Sequence, residues 1–98
     1  MRVISRRTLR EYWEKHAQAR ASLLNWHDVV TSRAWSSLAE LKQRFSRSVD
    51  GVGGDRYVFN MGDNFRLVAK IDFEAQVALV RFVGTHKEYD KIKDITTI

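Results

Sequence analysis

The feature that most constrains this chain is a single change of hydrophobic period. Up to about residue 47, apolar residues recur three and four apart; beyond Gly51-Val52-Gly53-Gly54 they alternate with polar ones. The first spacing lines one side of a helix, and the second lines one face of a strand. Neither half contains proline. With 98 residues in all, each half is too short to bury a core alone. The expectation is therefore one domain over residues 1–98, with the glycine cluster as a loop inside it.

In the helical half, Val3 and Ile4 can begin a short edge strand. Ser5 is placed to cap a helix over about 6–16, with Leu9, Tyr12, Trp13 and His16 at i, i+3, i+4 and i+7. Ala19, Leu23, Trp26, Val29 and Val30 mark a second helix over about 18–32. Ser37 and Glu40 have the spacing of a capping box ahead of Leu38, Leu41 and Phe45, which predicts a third over 37–45. Trp13, Trp26 and Trp35 are assigned to packing of these helices on a sheet.

In the alternating half, strands are predicted at 56–60, 64–73 and 77–83, joined by the turns Met61-Gly62-Asp63 and Glu74-Ala75-Gln76. Connections this short make an antiparallel meander, and helices on one side of it make an α+β domain. Gly84 to Asp90 reads as a loop, and Lys91 to Ile98 as a tail or short last element.

Composition excludes several chemistries. Hydrophobic residues make up 44% of the chain, enough for a packed globule. Without cysteine there are no disulfides and no thiolate metal sites. His16, His27 and His86 lack any metal-ligand spacing, and no Lys-Ser/Thr follows the glycines to make a phosphate loop. Neither a metal nor a cofactor is expected. The basic start, Met1 to Arg7, is not followed by an apolar stretch, so no signal peptide or membrane span is expected, and the cytoplasm is the default.

Charge points to an anionic partner. The net charge is +5, and residues 1–47 carry ten Lys and Arg against four Asp and Glu. Residues 48–98 carry seven against eight. The first half therefore reads as a docking surface, with Arg6, Arg7 and Arg10 as RNA-binding candidates, while chemistry in the second half must rest on individual groups.

Five of those groups stand out. Arg66 and Lys70 share one strand face, opposite Phe65, Leu67 and Ile71. That face is either solvated, with Asp72 as an ion-pair partner, or anion-binding. Arg81 interrupts a strand whose two faces are both apolar, so it needs an anionic partner or a wet pocket. His86 just beyond can take and give protons near neutrality, and Tyr89 offers a hydroxyl and a stacking ring.

Three stretches in order resemble the HigB toxin family. The start Val3-Ile4-Ser5-Arg6, Leu9-Arg10-Glu11 and Trp13-Glu14 is similar to the family's start. Tyr57-Val58-Phe59-Asn60-Met61-Gly62 with Asn64-Phe65-Arg66-Leu67-Val68 resembles its central hairpin, and Arg81 to Asp90 its C-terminal signature. The resemblance implies a RelE-like fold, with N-terminal helices packed on a small twisted antiparallel sheet. It implies a HigA-type helix-turn-helix antitoxin as partner, and metal-independent cleavage of mRNA linked to the translating ribosome. It places Arg66 and Arg81 on the phosphate, His86 in proton transfer and Tyr89 in stacking or proton donation. Lys70, Asn60 and Asn64 become further RNA contacts. Asp63 adds a negative charge beside that site.

The competing readings are a non-catalytic basic RNA- or ribosome-binding module and a protein scaffold. An arginine inside an apolar strand, followed by His86 and Tyr89, favours the enzyme.

Overall fold

A computed structural model of the chain describes residues 1–62 and 64–98, and of Arg47 the backbone alone. Asp63, and with it the expected turn of Met61, Gly62 and Asp63, lies outside the described residues. The described elements run β1 (Arg2–Ile4), α1 (Arg6–Lys15), a 3₁₀ turn (Ala17–Ala19), α2 (Arg20–Thr31), α3 (Leu38–Phe45), a second 3₁₀ turn (Ser46–Ser48), β2 (Val49–Gly53), β3 (Arg56–Met61), β4 (Phe65–Asp72), β5 (Val77–Thr85) and α4 (His86–Asp90). This is an α+β arrangement with a sheet ordered β1-β5-β4-β3-β2.

The helices fall where the spacing places them, but their caps differ. Ser5 adopts a left-handed backbone (φ 79°) and its side chain makes no cap hydrogen bond. An N-cap hydroxyl reaches the first turn from an extended backbone. Here the turn closes instead by the Thr8 N–H donating to the Ser5 carbonyl at 2.9 Å. At α3, the Ser37 hydroxyl accepts from the Glu40 N–H at 3.3 Å, as a capping box requires. The Glu40 carboxylate, however, accepts from the Ser36 N–H at 2.8 Å, one residue before the cap. That N–H, with help from Arg33, holds the Glu40 carboxyl below the usual carboxylate range.

The sheet is mixed rather than wholly antiparallel. β3, β4 and β5 form the expected meander, but β1 runs parallel to β5, with Arg2 beside Val77 and Ile4 beside Leu79. The glycine cluster is not a loop either. Val49–Gly53 is a strand paired with β3, and Gly54 and Asp55, with φ of 61° and 60°, turn the chain in two residues. Positive φ at both central positions is the turn whose twist suits a hairpin. Gly51 also lets α3 approach, since a Cβ there would lie 3.3 Å from the Leu38 side chain.

One face of the sheet carries the core. Leu9, Leu23, Trp26, Val30, Trp35 and Leu41 pack against Phe59, Leu67, Ala69, Ile71, Ala78 and Val80. Trp26 and Phe45 each meet Phe59 edge to face, at 5.5 and 5.3 Å. Trp26 and Trp35 are buried and Trp13 half-buried against the core, as assigned. Gln76 ties the far end together: its amide oxygen accepts from the Trp35 N–H at 3.0 Å, and its amide nitrogen donates to the Phe73 carbonyl at 2.6 Å.

A β-bulge in β5 settles what its apolar pattern left open. Ala69 pairs with Val80 and Val68 with Phe82, so Arg81 has no partner on β4. The extra residue switches the strand's faces. Before it, Ala78 and Val80 point to the core; after it, Val83 does, while Phe82 and Gly84 join the other face beside Val68 and Arg66. Arg81 is consequently exposed, with no need of a buried partner.

Candidate active site

The face opposite the core ends in a cluster around Arg66. Register places Asn60 directly across on β3 and Gly84 across on β5. Arg66 Nε donates to Asn60 Oδ1 at 3.0 Å. Its guanidinium carbon sits 4.7 Å from the centroid of the Tyr89 ring. Tyr89 also meets Phe82, ring centroids 6.4 Å apart. Among the described residues, no carboxylate forms an ion pair with Arg66. Held by one amide and one ring, the guanidinium keeps its terminal N–H groups available to an anion.

Tyr89 is delivered by α4, a helix where a loop was expected. β5 continues to Thr85, whose hydroxyl accepts from the Glu88 N–H at 3.1 Å, while the Glu88 carboxylate accepts from the Thr85 N–H at 2.9 Å. This reciprocal box starts α4 at His86. The T-x-x-E spacing was present in the sequence and is the signal for it. The Thr85 N–H chiefly, together with the charges of His16 and Lys91, holds the Glu88 carboxyl below its ordinary range. Gly84 makes the approach possible: a Cβ there would lie 2.5 Å from Phe82 Cζ and 3.2 Å from Glu88 Oε1.

On the helix side of the same sheet end lies a cleft of about 320 Å³ lined by His16, Gln18, Asn64, Phe65, Thr85, His86 and Lys87. The His86 N–H donates to the Asn64 carbonyl at 3.1 Å, tying the start of α4 to the start of β4. His86 Nε2 is buried and has no hydrogen-bond partner among the described residues. A buried ring nitrogen without a partner is costly in a folded chain, and a substrate hydroxyl can supply what is missing.

His16, read from sequence as structural, closes the other side of this cleft. Its ring stacks on Tyr12 at 4.2 Å and 10°. Its Nδ1 lies 3.3 Å from the Tyr12 carbonyl oxygen. Burial, then the Glu88 charge, pushes the Tyr12 hydroxyl above its ordinary pKa. His27, by contrast, stays on α2 beside Asp28, 3.9 Å away.

The structure thus brings Arg66, Asn60 and Tyr89 together on one side of the β4 start, and His86 and Asn64 on the other. Arg81 stands at the bulge, next to Phe82. Lys70 lies four residues along β4 from Arg66, roughly 13 Å away on the same face. Arg6, Arg7 and Arg10 lie exposed on α1, Arg7 paired with Glu11 at 2.7 Å and Arg10 with Glu14 at 3.8 Å.

Comparison with known proteins identifies the family. A family described as the RelE-like toxic component of a toxin–antitoxin system matches residues 19–92. The chain belongs to the HigB toxin family. The mRNA interferase toxin HigB of Escherichia coli strain K12 is 34% identical over 93 residues, which span 92% of this chain and 88% of that protein. The mRNA interferase HigB of Escherichia coli O157:H7 and that of Shigella flexneri match to the same extent. The family model takes in Arg66, Arg81, His86 and Tyr89 and begins after Arg6, Arg7, Arg10 and His16, while the match to the HigB relatives spans 92% of the chain. No helix among the described residues is long and apolar enough to cross a membrane.

Proposed function

We propose that this HigB toxin is an endoribonuclease that cuts mRNA on the translating ribosome by internal attack of a ribose 2′-hydroxyl, without a metal. One observation carries the reading: the start of β4 has a guanidinium held at Arg66 on one side and, on the other, a cleft lined by His86, whose Nε2 has no partner among the described residues. Such cleavage needs proton transfer at oxygen and stabilisation of charge on a five-coordinate phosphate. His86 supplies the first. Arg66, and Arg81 from the bulge further along β5, supply the second through planar N–H forks that match phosphate oxygens. Tyr89 and Phe82 offer rings on which an unstacked base can rest. Asn60 and Asn64 add polar contacts, and Lys70 a phosphate contact further along the strand. The toxin docks on ribosomes through the arginines of α1, in the cytoplasm, and the whole 1–98 chain acts as one domain.

A HigA-type helix-turn-helix antitoxin is proposed to silence the toxin, in keeping with the family's toxin–antitoxin description. The test is induction in a bacterial host with mapping of new mRNA 5′ ends, followed by analysis of purified products. Ends bearing 5′-hydroxyl and 2′,3′-cyclic phosphate, formed equally in EDTA with ribosomes kept intact, are expected. Growth arrest with intact mRNA would instead identify a non-catalytic ribosome-binding protein.

A further inference from the structure

We infer that His16 is the second proton carrier of this site, giving a proton to the leaving 5′-oxygen while His86 takes one from the 2′-hydroxyl. The inference rests on the endoribonuclease reading above. It starts from placement: His16 and His86, from elements far apart in sequence, line a single cleft with Lys87, Gln18 and Asn64. Internal cleavage needs one proton removed and one delivered on opposite sides of the phosphorus, and two imidazoles facing one cleft can do both.

The two rings are set up differently. His86 Nε2 has no hydrogen-bond partner among the described residues, and a small rotation of the ring would present it to a hydroxyl in the cleft. His16 is stacked flat on Tyr12, and its Nδ1 rests against the Tyr12 carbonyl oxygen. That contact suits a protonated Nδ1 and leaves Nε2 for the cleft. Charged and titratable neighbours are Tyr12 and Lys15 on its own helix, Lys87 on the rim of the same cleft, and Glu88 on α4, whose carboxyl is lowered in part by His16.

The step balances as follows. The 2′-hydroxyl proton passes to His86 Nε2 as the 2′-oxygen bonds to phosphorus. The bond from phosphorus to the 5′-oxygen breaks with its electron pair on that oxygen, which takes the proton of His16. The products are a 2′,3′-cyclic phosphate and a 5′-hydroxyl, and both rings return to their starting states by exchange with water.

A leaving-group test separates this role from a structural one. mRNA with a sulfur in place of the bridging 5′-oxygen at the cleavage site releases a thiolate, which needs no proton. His16→Gln and His16→Phe, the second keeping a ring on Tyr12, should slow the natural linkage by about 10²–10⁴-fold. Both should recover most of that loss on the sulfur linkage, and His86→Ala should recover none. His16 variants that are equally slow on both linkages, or that match wild type on the natural one, overturn the assignment. Wild-type protein that cuts neither free mRNA nor mRNA on programmed ribosomes overturns it together with the endoribonuclease reading.

Discussion

The guanidinium of Arg66 lies against the face of the Tyr89 ring, 4.7 Å from its centroid, and the pair joins β4 to α4. A contact of this kind contributes about 0.5–1 kcal/mol where partly exposed. The ring, not the hydroxyl, makes it. Tyr89→Phe should therefore keep most of the cleavage rate, and Tyr89→Ala should lower it. Arg66→Ala should cost about 10²–10³-fold in rate, the usual loss for one preorganised charge-stabilising donor. Single-turnover cleavage with the three variants checks this; an inactive but folded Tyr89→Phe would show that the hydroxyl takes part.

Gly84→Ala tests how tightly α4 is seated. The added methyl would meet Phe82 Cζ at 2.5 Å and Glu88 Oε1 at 3.2 Å. Overpacking of this sort typically costs on the order of 1–3 kcal/mol. Either Phe82 or the α4 cap must yield, and both hold Tyr89. The melting temperature should fall and cleavage should drop with it. An unchanged melting temperature would mean that the Phe82 ring moves aside freely.

Much of this was legible from periodicity, and the omissions have physical causes. The helices and the three central strands follow from local spacing, because each buries one face against the same core. The direction of β1 does not: Val3 and Ile4 pair with residues more than seventy positions away, and parallel pairing leaves no local mark. β2 was hidden because glycine disfavours strands, although Gly54 and Asp55 build the turn that returns the chain along it. The Arg81 bulge was hidden by two apolar faces that both proved correct, one on each side of it. Within the site, Arg66, His86 and Tyr89 were legible as residue types. Their grouping depends on register and on the Thr85 cap. His16 was missed because a histidine among aromatics on a helix reads as packing, and its cleft forms only when α1 meets the end of β5.

Arg81 gives a clean separation of function from stability. Its side chain is exposed at a bulge and supports no packing. Arg81→Ala should leave stability within about 0.5 kcal/mol. Cleavage should fall sharply, and Arg81→Lys should rescue poorly because a point charge cannot grip two phosphate oxygens. Thermal melts beside cleavage assays measure both. Full activity in folded Arg81→Ala would remove Arg81 from the phosphate site and leave Arg66 alone there.

The Glu88 cap makes stability depend on acid. Its carboxyl pKa is lowered in the folded chain, first by the Thr85 N–H. A depressed carboxylate stabilises above its unfolded pKa, about 4.3 for Glu, and that contribution is lost as pH falls through the folded value. Glu88→Gln keeps a carbonyl for the cap but removes the charge. Its melting temperature should lie below wild type at neutral pH, and the gap should close as pH falls below the ordinary carboxylate range. A gap that stays constant with pH would mean that the charge itself adds nothing.

Docking by α1 should be read out by salt. Arg6, Arg7 and Arg10 are exposed on one short helix. Each phosphate they neutralise releases counterions, so affinity falls with log salt at a slope that counts the contacts, about 0.7 per phosphate on single strands. Arg7 and Arg10 lean on Glu11 and Glu14, but such exposed pairs are weak and open readily toward a phosphate. Reversing all three charges should therefore weaken ribosome or RNA binding at low salt and flatten the slope by about two. The chemical step should be untouched, because Arg6 and Arg7 lie at the opposite end of α1 from the His16 cleft, Arg10 lies mid-helix, and none of the three lines the cleft. Binding titrations from low to moderate salt, with cleavage measured at saturating protein, separate the two effects. A triple variant with the wild-type slope would place the docking surface elsewhere among the basic residues.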